Sequence, residues 1–67
     1  MNITYQVQYK NDENKWLDFS PRYSTYEDAR LDFDCIKRSK TYKAARILEI
    51  EESDEIIKEW SRDDEKD

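Results

Sequence analysis

The 67-residue chain sets twelve Lys and Arg against seventeen Asp and Glu, a formal net charge of −5, and contains neither Gly nor His. Without imidazole there is no Ser-His or Cys-His pair and no histidine zinc ligand, and without Gly no P-loop or Gly-rich dinucleotide turn. A core of this size rarely supplies more than roughly 3–5 kcal/mol, and one cysteine cannot make an internal disulfide to add to it.

Residues 2 to 10 alternate, with Ile3, Tyr5, Val7 and Tyr9 on one face and Thr4, Gln6 and Gln8 on the other, which predicts a half-buried strand. Asn11-Asp12-Glu13-Asn14 is a turn, and Lys15 to Ser20 reads as the return strand of a hairpin. A three-residue loop with Asn14 in the left-handed conformation sets Leu17 beside Tyr9 and Phe19 beside Val7, leaving Trp16 on the wetter face. A four-residue loop would place Trp16 beside Tyr9 and turn Leu17 and Phe19 outward. The first is preferred because it exposes one large side chain rather than two. Pro21 then ends the strand.

Thr25 to Lys40 is the segment with helical periodicity. Thr25 with Asp28, or Ser24 with Glu27, supplies an N-terminal capping pair. Glu27 and Asp28 in the first turn, and Lys37, Arg38 and Lys40 in the last, suit the helix dipole. Tyr26, Ala29, Phe33 and Ile36 form the apolar stripe, with Cys35 on its flank as a half-buried thiol. Ala44 to Glu51 predicts a central strand, with Ala45 and Ile47 on one face and Leu48 and Ile50 on the other. Ile56 to Trp60 suits a hairpin strand, the alternative being a short helix capped by Ser53. Residues 61–67 are almost wholly charged and are expected to form a disordered acidic tail. The expected architecture is thus α+β: one ββαββ domain over residues 1–60, a small antiparallel sheet with a single helix on one face.

The strand Tyr5-Gln6-Val7-Gln8-Tyr9-Lys10, the return Trp16-Leu17-Asp18, the helix start Ser24 to Ala29, and Ala45-Arg46-Ile47 ahead of an acidic hairpin together resemble small uncharacterised proteins of bacteriophages and prophages with this strand-strand-helix-strand-strand order. The resemblance covers most of the chain and rests on structural residues. It implies a genomic habitat and a fold more than a function.

Charge is segregated: residues 1–34 sum to −3, 35–48 to +5 and 49–67 to −7. Two functional readings follow. In the first, the chain is a non-enzymatic protein-binding module. Glu51, Glu52, Asp54 and Glu55 present carboxylates to a basic partner surface, while Trp16, Leu48 and Trp60 are candidates for an apolar patch on the helix-free face that also supports a homodimer. In the second, Lys37, Arg38, Lys40, Lys43 and Arg46, with Tyr42 for stacking, form a nucleic-acid-binding segment, opposed by the net negative charge. No catalytic residue, cofactor or metal is expected. Asp32 and Asp34 are two apart on a helix, Glu51 and Glu52 adjacent on a strand, and neither pair converges; the Asn11 to Asn14 turn lacks the Gly and closing Glu of a calcium loop. With no apolar run long enough for a signal peptide or membrane span, the expected location is the cytoplasm, that of the host if the chain is phage-encoded.

Overall fold

The structure is a computed structural model that describes residues 2–61. Alternation in the first ten residues produces β1 (Thr4–Lys10), and the return strand β2 (Trp16–Asp18) pairs with it in antiparallel register, Tyr9 opposite Leu17 and Lys10 opposite Trp16. That is the register of the three-residue loop. Asn14 has φ 64°, a left-handed conformation that Asn tolerates better than most residues. Asn11 Oδ1 secures the loop by accepting the backbone N–H groups of Glu13 (2.9 Å) and Lys15 (3.0 Å).

Beyond β2 the ladder is interrupted. The Phe19 N–H donates to the Val7 carbonyl at 2.8 Å, and Tyr23 and Tyr5 exchange both backbone bonds at 2.8 Å. A regular ladder would set residue 21 opposite Tyr5, so two extra residues are looped out where Pro21 has no N–H to offer. The Gln6 amide fills the gap, Nε2 donating to the carbonyls of Ser20 and Val7. Gln6 is accordingly buried, although it lies on the polar face of the sequence pattern.

Thr25 caps α1 (Tyr26–Arg38), its hydroxyl accepting the Asp28 N–H at 3.4 Å. The helix stops two residues short of the predicted Lys40, because Ser39 turns extended and its N–H closes on the carbonyls of Cys35 and Ile36. Ala29, Phe33 and Ile36 are buried and Tyr26 half-buried, as the stripe requires. Cys35 is exposed rather than half-buried. It sits about 100° around the helix from Ile36, on the side where Arg38 Nη2 approaches its sulfur at 3.5 Å.

The third strand, β3 (Ala44–Ile50), lies between β1 and β4 (Asp54–Ser61), giving a four-stranded antiparallel sheet in the order β2-β1-β3-β4. Residues 54–60 are therefore strand, and Ser61 belongs to β4; the rest of the predicted tail lies outside the described residues. Near the hairpin the register pairs Leu48 with Ile56, but farther on it pairs Ile47 with Lys58, so Ile57 is an unmatched extra residue, a β-bulge. The bulge decides which residues face the helix. Continued without it, the register would set Trp60 opposite Ala44 on the helix-free face. With it, Trp60 faces the helix opposite Ala45, a large side chain over a small one. The core is Val7, Ala29, Phe33, Ile36, Ala45, Ile47 and Trp60, with Tyr5, Tyr9, Phe19, Tyr23, Tyr26 and Tyr42 around it.

One rim contact gives a pH dependence. The Tyr23 hydroxyl donates to Asp32 Oδ2 at 2.6 Å. This bond to the carboxylate, chiefly, raises the Tyr23 pKa above its ordinary 10.0, with the Ser20 hydroxyl opposing it. A group whose folded pKa is raised contributes stability that is whole below the unfolded value and is lost as pH rises through the folded one. Melting curves between pH 8 and 11.5 are expected to show a larger alkaline loss for the wild type than for Tyr23→Phe. Parallel profiles would show that this bond does not couple to folding.

Candidate functional site

Pairing lays out the helix-free face in rows across the sheet. Trp16, Lys10, Ala44 and Ser61 form the first. Asp18, Gln8, Arg46 and Glu59 form the second, Gln6, Leu48 and Ile56 the third, and Thr4, Ile50 and Asp54 the last, next to the turn Glu51-Glu52-Ser53. The expected apolar patch is not assembled. Trp16 and Leu48 share this face but are separated by the polar second row, and Leu48 is buried between Gln6 and Ile56. Trp60 is in the core on the other side, the bulge having reversed its direction, and is withdrawn from any interface or two-fold contact on this face. The large apolar groups left exposed at the hairpin end are Ile56 (48%) and Ile57 (40%).

At that end Glu49, Glu51, Glu52, Ser53 and Glu55 surround an open hollow of about 380 Å³. Glu49 and Glu55 are direct cross-strand partners. Like charges directly opposite on a sheet destabilise it, and no basic side chain lines the hollow to offset them. Asp54 projects to the opposite face, opposite Ile50. The described residues contain no group of three or more His, Cys, Asp or Glu able to hold a metal ion.

The basic segment is divided. Lys37 and Arg38 on the last helical turn, and Lys40 and Lys43 in the connection, are exposed. Tyr42 packs against Tyr9 at 4.8 Å and Phe19 at 5.9 Å between ring centres, so its ring closes the core rather than standing open for a base. Arg46 projects through the sheet to the helix-free face, where Nε donates to Gln8 Oε1 at 2.8 Å and the guanidinium lies 4.2 Å from the centre of the Trp16 ring.

Comparison with protein families, curated proteins and solved structures finds no match to this chain. Sequence reasoning missed the cluster Gln8, Asp18, Lys10 and Arg46 around Trp16. The available signal was parity: the favoured hairpin register puts Gln8, Lys10, Trp16 and Asp18 on the helix-free face, and Arg46 joins them because Ala45 and Ile47 face the helix. No helix among the described residues is long and apolar enough to cross a membrane.

Proposed function

We propose that the chain is a non-enzymatic protein-binding module whose contact surface is the acidic end of the β3–β4 hairpin. The observation that carries this reading is the hollow walled by Glu49, Glu51, Glu52 and Glu55, on a hairpin that also exposes Ile56 on its other face and Ile57 at the bulge. Charges along an outer strand can serve merely to discourage sheet-edge aggregation. That purpose accounts for Glu55 and Glu59. It does not account for carboxylates in the turn itself, nor for two exposed isoleucines on the strand being guarded. An acidic hairpin tip with apolar side chains exposed behind it fits a partner that is basic where it meets the turn and apolar where it reaches the strand. With the resemblance to small bacteriophage proteins, the reading extends to a host protein whose own ligand is a polyanion.

Two measurements test it. Removing one of two facing charges, Glu55→Gln, is expected to stabilise the fold by about 0.2–1 kcal/mol, so that carboxylates there lower stability. Against a Lys- and Leu-rich amphipathic peptide, the triple change Glu51→Gln, Glu52→Gln, Glu55→Gln and the single change Ile56→Ser are each expected to weaken binding, and added salt to weaken it further. Binding unaffected by both sets would remove the hairpin as the contact surface. The alternative, nucleic acid held by Lys37, Arg38, Lys40 and Lys43, would gain if a short oligonucleotide bound with a steep salt dependence that those residues abolish on change to Ala.

A further inference from the structure

Two cations on the helix-free face converge on one indole. The guanidinium of Arg46 stands 4.2 Å from the centre of the Trp16 ring and Lys10 Nζ 5.2 Å from it. The Arg46 side chain is held from two directions, by the ring and by Gln8, whose Oε1 accepts from Nε at 2.8 Å. Gln8 is itself fixed, donating through Nε2 to Asp18 Oδ1 at 2.8 Å. Glu59, the carboxylate opposite Arg46 in the β3–β4 register, does not capture it. Among the described residues neither the terminal nitrogens of Arg46 nor the ammonium of Lys10 has a hydrogen bond or an ion pair. In a chain with seventeen acidic residues, these two cations stand together at one point with no carboxylate partner among the described residues.

We propose that Arg46, Lys10 and Trp16 form a binding site for a carboxylate on an acidic segment of a partner protein. A guanidinium stacked on an aromatic ring and tethered through Nε keeps its terminal donors in a fixed fork that matches a planar carboxylate, and a stacked Arg loses little freedom when it is engaged. Lys10 adds a second positive charge over the same ring. Phosphates could use the same fork, but the surroundings favour a peptide. Trp16 is half-buried and already engaged by two cations, so it offers no open ring for a base. The net charge of −5 repels a long polyanion more than a short acidic segment. The site lies at the opposite end of the sheet from the acidic hairpin and shares no residue with it, so it stands or falls independently of the function proposed above.

The test follows the Trp16 indole N–H and Arg46 Nε–H resonances of the full chain during titration with capped tetraglutamate, and separately with an oligothymidine of equal charge. Tetraglutamate is expected to move both resonances saturably. Arg46→Lys, which keeps the charge and loses the fork, is expected to weaken binding about tenfold, roughly the loss of one charge-assisted hydrogen bond. Lys10→Gln, which leaves the fork in place, should weaken it less and serves as the second variant if Arg46→Lys does not fold. Resonances that stay in place, or variants that both bind as the wild type does, would overturn the site. Tighter binding of the oligothymidine would overturn the peptide as its ligand.

Discussion

Trp60→Ala is expected to leave about half or more of the chain unfolded at 25 °C, whereas Trp16→Ala is expected to leave it folded. Trp60 is packed with Val7, Ala29, Phe33, Ile36, Ala45 and Ile47 in the only buried apolar cluster of the described residues. Truncating a buried Trp to Ala costs about 3–5 kcal/mol, and the whole stability expected of so small a core is roughly 3–5 kcal/mol. The two are equal, so no margin remains. Trp16 is half-buried on the other face and held chiefly by Lys10 and Arg46, where a cation over a ring contributes about 0.5–1 kcal/mol at an exposed site. Urea titration followed by far-ultraviolet circular dichroism separates the two variants. A Trp60→Ala protein with a wild-type transition would show that the ring is not part of the cooperative core. Deletion of Ile57 is the sharper control. It removes the bulge while Lys58, Glu59 and Trp60 keep their partners Ile47, Arg46 and Ala45 in a regular ladder. The indole should therefore stay buried and its emission should not shift to the red; a red shift would show that the bulge itself is needed to seat Trp60.

The bulge at Ile57 also marks where the sequence stopped being informative. Thr25 with Asp28, the acidic first turn and the Ala29, Phe33, Ile36 spacing are local signals, and the helix forms where they place it. Hairpin register was legible for a similar reason: the choice between loops turned on which face Leu17 and Phe19 would occupy, and Asn14 could take the conformation that the shorter loop needs. In β4 the same logic failed. Two adjacent β-branched residues, Ile56 and Ile57, give no alternation from which to read a face. The resolution came from opposite sides of the sheet at once, as Ala45 leaves space for Trp60 and Arg46 faces Glu59 instead of Lys58. The cluster around Trp16 was illegible because its members come from three strands, Gln8 and Arg46 being 38 residues apart. Parity places such residues on a common face, but only the strand order β2-β1-β3 makes them neighbours. Tyr42 was misread as an open ring because a residue in a connection has no periodicity to reveal its direction.

Gln6→Leu is expected to destabilise the fold by about 1–3 kcal/mol, although it replaces a buried polar side chain with an apolar one of similar size. Leucine should fit the space, since Gln6 lies beside Leu48 across β1 and β3. The cost lies in the partners. Gln6 Nε2 donates to the Ser20 carbonyl at the point where two looped-out residues and Pro21 leave the ladder short of an N–H. A buried acceptor left without its donor loses about that amount. Val7 suffers less, because its carbonyl keeps the Phe19 N–H at 2.8 Å. The damage should be local as well as global, with faster hydrogen exchange at the Tyr5 and Tyr23 amides that close the same gap. Gln6→Glu separates donor loss from shape. An ionised carboxylate there faces two carbonyl oxygens with no proton to give, so its pKa in the folded state should rise above the usual 4.3. Stability associated with a raised carboxyl pKa is whole below the unfolded value and lost as pH increases through the folded one. Gln6→Glu should therefore approach the wild type most closely in acid and fall away from it towards neutrality. A deficit relative to the wild type that is the same at pH 4 and pH 7 would mean that the side-chain amide is not what closes the ladder.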